Sequence, residues 1–180
     1  MEQLLLPSVQ LGRLSNGGPG TQLLASEAKQ LLQTPTLEVV PVCSGTAALH
    51  AIVAALQLKS GRDLVWVTQA FTFPSSVQGP MRHSLVLDMD TVHRGPNVDQ
   101  LTPTQLKQMD GLVVTLCFGF PVDLAYYRAW SRTHGKWLVL DNAACPLTFL
   151  HGDNTLLYAD AAAVSLHETK PLGRGEGVGG

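Results

Sequence analysis

Five short, nearly unbroken apolar runs recur along this chain: Asp63–Val67 (DLVWV), Ser84–Asp88 (SLVLD), Leu112–Leu116 (LVVTL), Trp137–Asp141 (WLVLD) and Ala161–Leu166 (AAAVSL). A strand with one wet face alternates apolar and polar residues. Runs without that alternation are buried on both sides, which is the signature of a parallel sheet covered by helices. Helical patterns fall between them near Thr102–Met109 and Val122–His134, the second stopped by Gly135. An earlier helical pattern from Thr21 to Gln33 places Leu24, Ala28 and Leu31 at helical spacing. A further buried strand is predicted over Leu37–Val42 (LEVVPV), with Pro41 marking its end because proline has no N–H to give a ladder. Directly after it, Leu49, Ile52, Val53 and Leu56 recur at i, i+3, i+4 and i+7, and Ser44 or Thr46 is placed to cap the resulting helix. The expected architecture is α/β, three layers with a mostly parallel sheet, as one domain over residues 1–180.

Composition supports this reading. Of the 180 residues, 45% are hydrophobic and 14% charged, enough apolar surface to offset the entropy of ordering the chain. The formal charge of −2 supplies no basic field for nucleic acid or an anionic membrane. No apolar run approaches the roughly 20 residues of a membrane span. The start, MEQLLLPSVQLG, has neither the basic opening nor the long apolar core of a secretory signal, so a soluble cytoplasmic protein is expected. Cys43, Cys117 and Cys145 form no CxxC pair, and buried free thiols are expected rather than a disulfide framework or zinc site.

In an open α/β sheet, ligands collect beyond the carboxyl ends of the strands. Four features fall there. Ser44-Gly45-Thr46 opens a helix, where unpaired backbone N–H groups and the helix dipole favour an anion such as phosphate. Asp141 ends a strand and can hold a protonated heterocycle nitrogen or a metal. Phe71 and Phe73 follow the Asp63–Val67 run and are suited either to the core or to covering a planar ligand. Lys170 follows the last run, where a partly desolvated lysine can form a Schiff base. Each feature also has an ordinary reading, as a helix cap, a turn cap, a core aromatic or a solvated lysine. Competing motifs fail: no GxxxxGK[ST], HExxH or GxSxG occurs, and the formal GxGxxG at Gly175, Gly177 and Gly180 has no helix after it.

Read in order, the pieces resemble the DegT/DnrJ/EryC1/StrS family of sugar aminotransferases. Asn16-Gly17-Gly18 resembles the family's opening, and Ser44–Leu49 (SGTAAL) its SGTxAL phosphate turn. Phe71–Ser76 resembles the TF/TW segment, and Ser84–Asp90 (SLVLDMD) the PVFVDVD strand. Cys117-Phe118-Gly119 with Asp123 resembles HxxG…D, and Leu140–Ala144 (LDNAA) resembles EDAAQ. Ser165–Lys170 with Gly175-Glu176-Gly177 resembles SFxxxK…GEGG.

The resemblance implies the large domain of the type I fold of transferases that use pyridoxal 5′-phosphate, without the C-terminal small domain. It implies that Lys170 forms the Schiff base and then shuttles a proton, and that Asp141 keeps the pyridine nitrogen protonated. Gly45, Thr46, Ala47 and Ser165 would hold the phosphate, and Phe73 would stack on the ring. The implied reaction is transfer of an amino group, typically from glutamate, to a nucleotide-linked keto-sugar in a homodimer. Lysine at position 170 favours an aminotransferase over the family's dehydratases, which carry histidine there. Two departures stand out: Ala144 replaces a polar Gln or His, and Glu176-Gly177-Val178-Gly179-Gly180 replaces EGG. A catalytically inactive remnant or binding module of the same fold is the alternative, and a different reaction on the same cofactor is a third reading.

Overall fold

The computed structural model describes residues 2–172. Two helices, α1 (Glu2–Gln10) and α2 (Pro19–Leu31), precede α3 (Gly45–Ser60). Then come β1 (Trp66–Gln69), β2 (Leu85–Leu87), α4 (Pro103–Gln108), β3 (Gly111–Thr115), α5 (Leu124–His134) and β4 (Trp137–Asp141). A small hairpin, β5 (Phe149–Leu150) and β6 (Asp153–Asn154), leads to β7 (Ala161–Ala163).

The five apolar runs form one sheet in the order β2-β1-β3-β4-β7, and every neighbouring pair is parallel. Alternation along the strands divides the core in two. Trp66, Val113, Val139 and Ala163 pack with Leu49 and Val53 of α3 on one face. Val67, Leu112, Val114, Leu138 and Leu140 pack with Leu124 and Tyr127 of α5 on the other. The three layers expected of a sheet apolar on both faces are therefore present.

Several local expectations are met at their physical cause. Ser44 caps α3, its hydroxyl accepting from the Ala47 N–H at 3.1 Å. Thr102 and Gln105 form a capping box that starts α4. Asp123 caps α5 by accepting from the Tyr126 N–H at 2.9 Å. Gly111 sits between the Trp66 ring and the Trp137 backbone: a Cβ there would lie 2.5 Å from the Trp66 ring, 2.8 Å from the Trp137 Cβ and 2.9 Å from the Trp137 carbonyl oxygen, so only glycine fits there.

Other expectations are corrected. Leu37–Val42 forms no strand: no described strand pairs with it, and Val40 is 76% exposed. Its apolar composition suits a strand, but a strand needs a neighbour to take its backbone hydrogen bonds, and Pro41 withholds one donor. The last run is shorter than its sequence suggests, because pairing with β4 stops at Ala163 and Val164–Leu166 leaves the ladder. Of the three cysteines only Cys145 is buried; Cys43 is exposed and Cys117 half-buried, and all three are free thiols. The helix at Glu2–Gln10 has no counterpart among the expected elements, since Pro7 inside it argues against a helix. Gly175-Glu176-Gly177 and the formal GxGxxG lie outside the described residues. Among the described residues no helix is long and apolar enough to cross a membrane.

Candidate active site

The site is assembled at the carboxyl ends of the strands, on the face of the sheet that α3 covers. Asp141 is the last residue of β4 and is paired in register with Thr115 of β3 and Ala163 of β7. Val113, Val139 and Ala163 point toward α3. Two residues further along their strands, Thr115 and Asp141 therefore project to that same side.

Asp141 is only 5% exposed, yet its carboxylate has few partners. Oδ1 accepts from the Ala143 N–H at 3.3 Å, and Oδ2 accepts from the Ser76 hydroxyl at 3.5 Å. Burial pushes the carboxyl above its ordinary value, opposed by the Ala143 N–H, the Ser76 hydroxyl and the positive charge of Lys170. A nearly buried carboxylate held by two long hydrogen bonds is a receptor for a cationic group, because a positive partner would relieve the cost of desolvating it.

Lys170 follows β7, half-buried, in a turn where its N–H donates to the His167 carbonyl at 2.8 Å. Its positive charge favours the ionised form of Asp141, against the effect of burial. Ser165 is buried between them in sequence, and its hydroxyl accepts from the His167 N–H at 3.2 Å.

The N-terminus of α3 closes against this segment. A Cβ built at Gly45 would lie 3.1 Å from the Ser165 Cβ and 3.5 Å from its Oγ. Gly45, Thr46 and Ala47 form the first turn of α3, so their amides lie at the positive end of its dipole. Ala47 differs from its two neighbours, because its N–H is already engaged by the Ser44 hydroxyl. The structure thus brings Gly45 and Ser165 together, and Asp141 feels the positive charge of Lys170. Phe73 lies apart from the core, 66% exposed, at the head of the turn Pro74–Val77 that also carries Ser76. Phe71 is exposed as well, which removes the core reading for both aromatics.

Sequence reasoning missed the polar residues behind Asp141. Gln69, at the end of β1, is fully buried and ties β1 to β3: its Oε1 accepts from the Thr115 N–H at 3.2 Å, and its Nε2 donates to the Thr115 and Phe71 carbonyls. Thr72 and Thr115 share a 2.7 Å hydroxyl contact, and Thr72 meets Ser76 at 3.1 Å. The available signal was the small polar pair Ser75-Ser76 after Phe73, which no surface turn would need to bury. Asp123, read from the motif, instead caps α5 and pairs with His93 at 3.0 Å.

Comparison with known proteins places this arrangement. The chain is 25% identical over 161 residues to the dTDP-4-dehydro-2,3,6-trideoxy-D-glucose 4-aminotransferase of Saccharopolyspora spinosa, covering 89% of this chain and 42% of that protein. Among solved structures, DesI in the presence of its TDP-sugar product superposes with a TM-score of 0.74 at 22% identity, covering 93% of this chain and 42% of that one. Helicobacter pylori PseC, an aminotransferase of pseudoaminic acid biosynthesis, gives a TM-score of 0.74 at 14% identity over 95% of this chain and 46% of its own. Spr1654 of Streptococcus pneumoniae, in its PMP form, gives 0.70 at 20% identity over 94% and 47%. The chain thus spans less than half the length of these relatives. The family model for DegT/DnrJ/EryC1/StrS aminotransferases matches residues 2–179, and the chain belongs to that family, whose cofactor is pyridoxal 5′-phosphate.

Proposed function

We propose that this chain is the cofactor-binding, large-domain portion of a pyridoxal phosphate-dependent aminotransferase that acts on a nucleotide-linked keto-sugar. Glutamate is the amino donor in this reading, and the assembly is a cytoplasmic homodimer. The observation that carries it is the buried, poorly partnered carboxylate of Asp141 within reach of the Lys170 charge, beside a helix N-terminus pressed against Ser165.

These residues fit the group. Pyridoxal phosphate, when bound, supplies a protonated heterocycle that withdraws electrons from the amino-bearing carbon of the donor. Asp141 would face the protonated ring nitrogen, since its burial without a cationic partner is costly. The amides of Gly45 and Thr46, at the positive end of α3, bind the phosphate together with the Thr46 and Ser165 hydroxyls. Ala47 contributes by holding the turn against Ser44 rather than by a free amide. Lys170 Nζ would hold the cofactor and would be the group that moves a proton on and off the substrate carbon. Phe73, exposed in the structure, would cover a ring face and exclude water from it. The nucleotide-sugar substrate follows from the Saccharopolyspora spinosa relative, which acts on a dTDP-linked keto-sugar.

The test is spectroscopic. Pyridoxal phosphate is added to the purified chain and to Lys170→Ala, and the visible absorption is recorded. A band displaced from that of the free cofactor, present in the wild type and lost in the variant, is expected. Bleaching of that band by glutamate identifies the donor. A folded wild-type chain that leaves the cofactor's spectrum unchanged overturns the enzymatic reading and favours a remnant of the fold.

A further inference from the structure

The side of Asp141 that faces β1 and β3 is backed by a row of three hydroxyls. Ser76 Oγ lies 3.5 Å from Asp141 Oδ2, Thr72 Oγ1 lies 3.1 Å from Ser76 Oγ, and Thr115 Oγ1 lies 2.7 Å from Thr72 Oγ1. Ser76 is fully buried and Thr115 nearly so, which leaves little water to compete. Gln69 sets the geometry by bonding the Thr115 backbone through both ends of its amide and holding the Phe71 carbonyl. The row is therefore a built element, clamped at the ends of β1 and β3.

We propose that Ser76 is a positioning residue for Asp141, and that Thr72 and Thr115 behind it form a hydroxyl chain whose direction is set by the charge of that carboxylate. This rests on the reading of Asp141 as the partner of the cofactor's ring nitrogen.

Each hydroxyl has one proton to give and lone pairs to receive. An ionised carboxylate can only accept, so the Ser76 O–H must point at Oδ2. Ser76 Oγ then receives from Thr72, and Thr72 Oγ1 receives from Thr115. All three dipoles align toward the charge, and each polarises the next, which favours the ionised form in a site where burial disfavours it. Protonating Asp141 removes the reason for that direction and lets the row reverse. Besides the row, the Lys170 ammonium favours the charge on Asp141; the half-buried Cys117 thiol is pushed up by burial first, then by the charges of Asp141 and Cys145, and stands neutral beside it.

The test follows the Asp141 carboxyl by carbon-13 NMR titration of cofactor-free protein, with Asp141→Asn identifying its resonance. Ser76→Ala is expected to move the titration midpoint upward, Ser76→Thr to restore it, and Thr115→Val to move it partway. In the cofactor-binding assay Ser76→Ala is expected to retain the Lys170-dependent band but weaken cofactor affinity about tenfold, the worth of one hydrogen bond to a charged group. A midpoint in Ser76→Ala and Thr115→Val equal to that of the wild type overturns the proposal. The two readings separate cleanly, because the titration is made without cofactor. A wild-type chain that takes no cofactor overturns the enzymatic reading even if the midpoints move.

Discussion

Gly45 and Ser165 meet so closely that a Cβ on the glycine would stand 3.1 Å from that of the serine. This approach joins the start of α3 to the segment that follows β7, two places 120 residues apart in the chain. It sets the first turn of α3 directly against the Ser165 side chain. A branched side chain at Gly45 would push the two apart. Gly45→Val is expected to abolish binding of pyridoxal phosphate while the far-ultraviolet circular dichroism keeps its native shape. Equal cofactor affinity in the variant and the wild type would show that this junction is not the phosphate site.

Asp141 is held in an environment that disfavours its charge, which gives a stability prediction with a definite sign. Its carboxyl is raised in the folded protein above the ordinary 3.8, so the folded state binds its proton more tightly than the unfolded one. The contribution of that proton to stability is full below the ordinary carboxylate value and is lost as pH rises through the raised value. Asp141→Asn, which carries no charge, is therefore expected to melt higher than the wild type at neutral pH without cofactor. The difference should shrink as the pH falls toward the carboxylate range. Thermal melts across that range check both the sign and the trend.

Asp110 behaves in the opposite way. Burial raises its carboxyl, but the Arg62 guanidinium bound to both its oxygens, the Val65 N–H and the charge of Lys136 together bring it below its ordinary value. Its stabilising contribution is present above the ordinary 3.8 and lost as pH falls through the lowered value. Asp110→Ala is expected to cost about 1–3 kcal/mol at neutral pH, because it removes the part-buried acceptor of the Val65 N–H as well as the ion pair. Chemical denaturation at neutral and acidic pH should show that cost falling in acid.

At Gly111 the Trp66 ring on one side and the Trp137 Cβ and carbonyl oxygen on the other leave no room for a methyl group. Gly111→Ala is expected to lose about 1–3 kcal/mol through overpacking at the start of β3. The unfolding free energy from a denaturant titration measures it. A neutral substitution would mean that the Trp66 ring and the β4 backbone at Trp137 can move aside.

The cap on α3 is open to a smaller test. Ser44→Ala removes the hydroxyl that accepts from Ala47 and is expected to cost about 1 kcal/mol. It also frees the Ala47 amide in the first turn of α3. Denaturation measures the first effect, and titration with pyridoxal phosphate measures the second.

The residue pattern alone was sufficient for the strands of the sheet, because a segment buried on both faces must be apolar throughout, and β1, β2, β3, β4 and β7 all fall in or beside such runs. Caps were equally legible, since Ser44 and Gly135 act through their own neighbours in the chain. Leu37–Val42 was misread for the complementary reason: a strand exists only with a partner, and partnership is not a property of six residues. What tertiary structure decided was the environment of Asp141. Its burial, the long contact to Ser76, the row through Thr72 to Thr115 and the clamp by Gln69 join residues from β1, its following turn, β3 and β4. Such contacts depend on which strands become neighbours and in what register. Chain order lists the residues, but only the packed sheet determines which of them share one carboxylate.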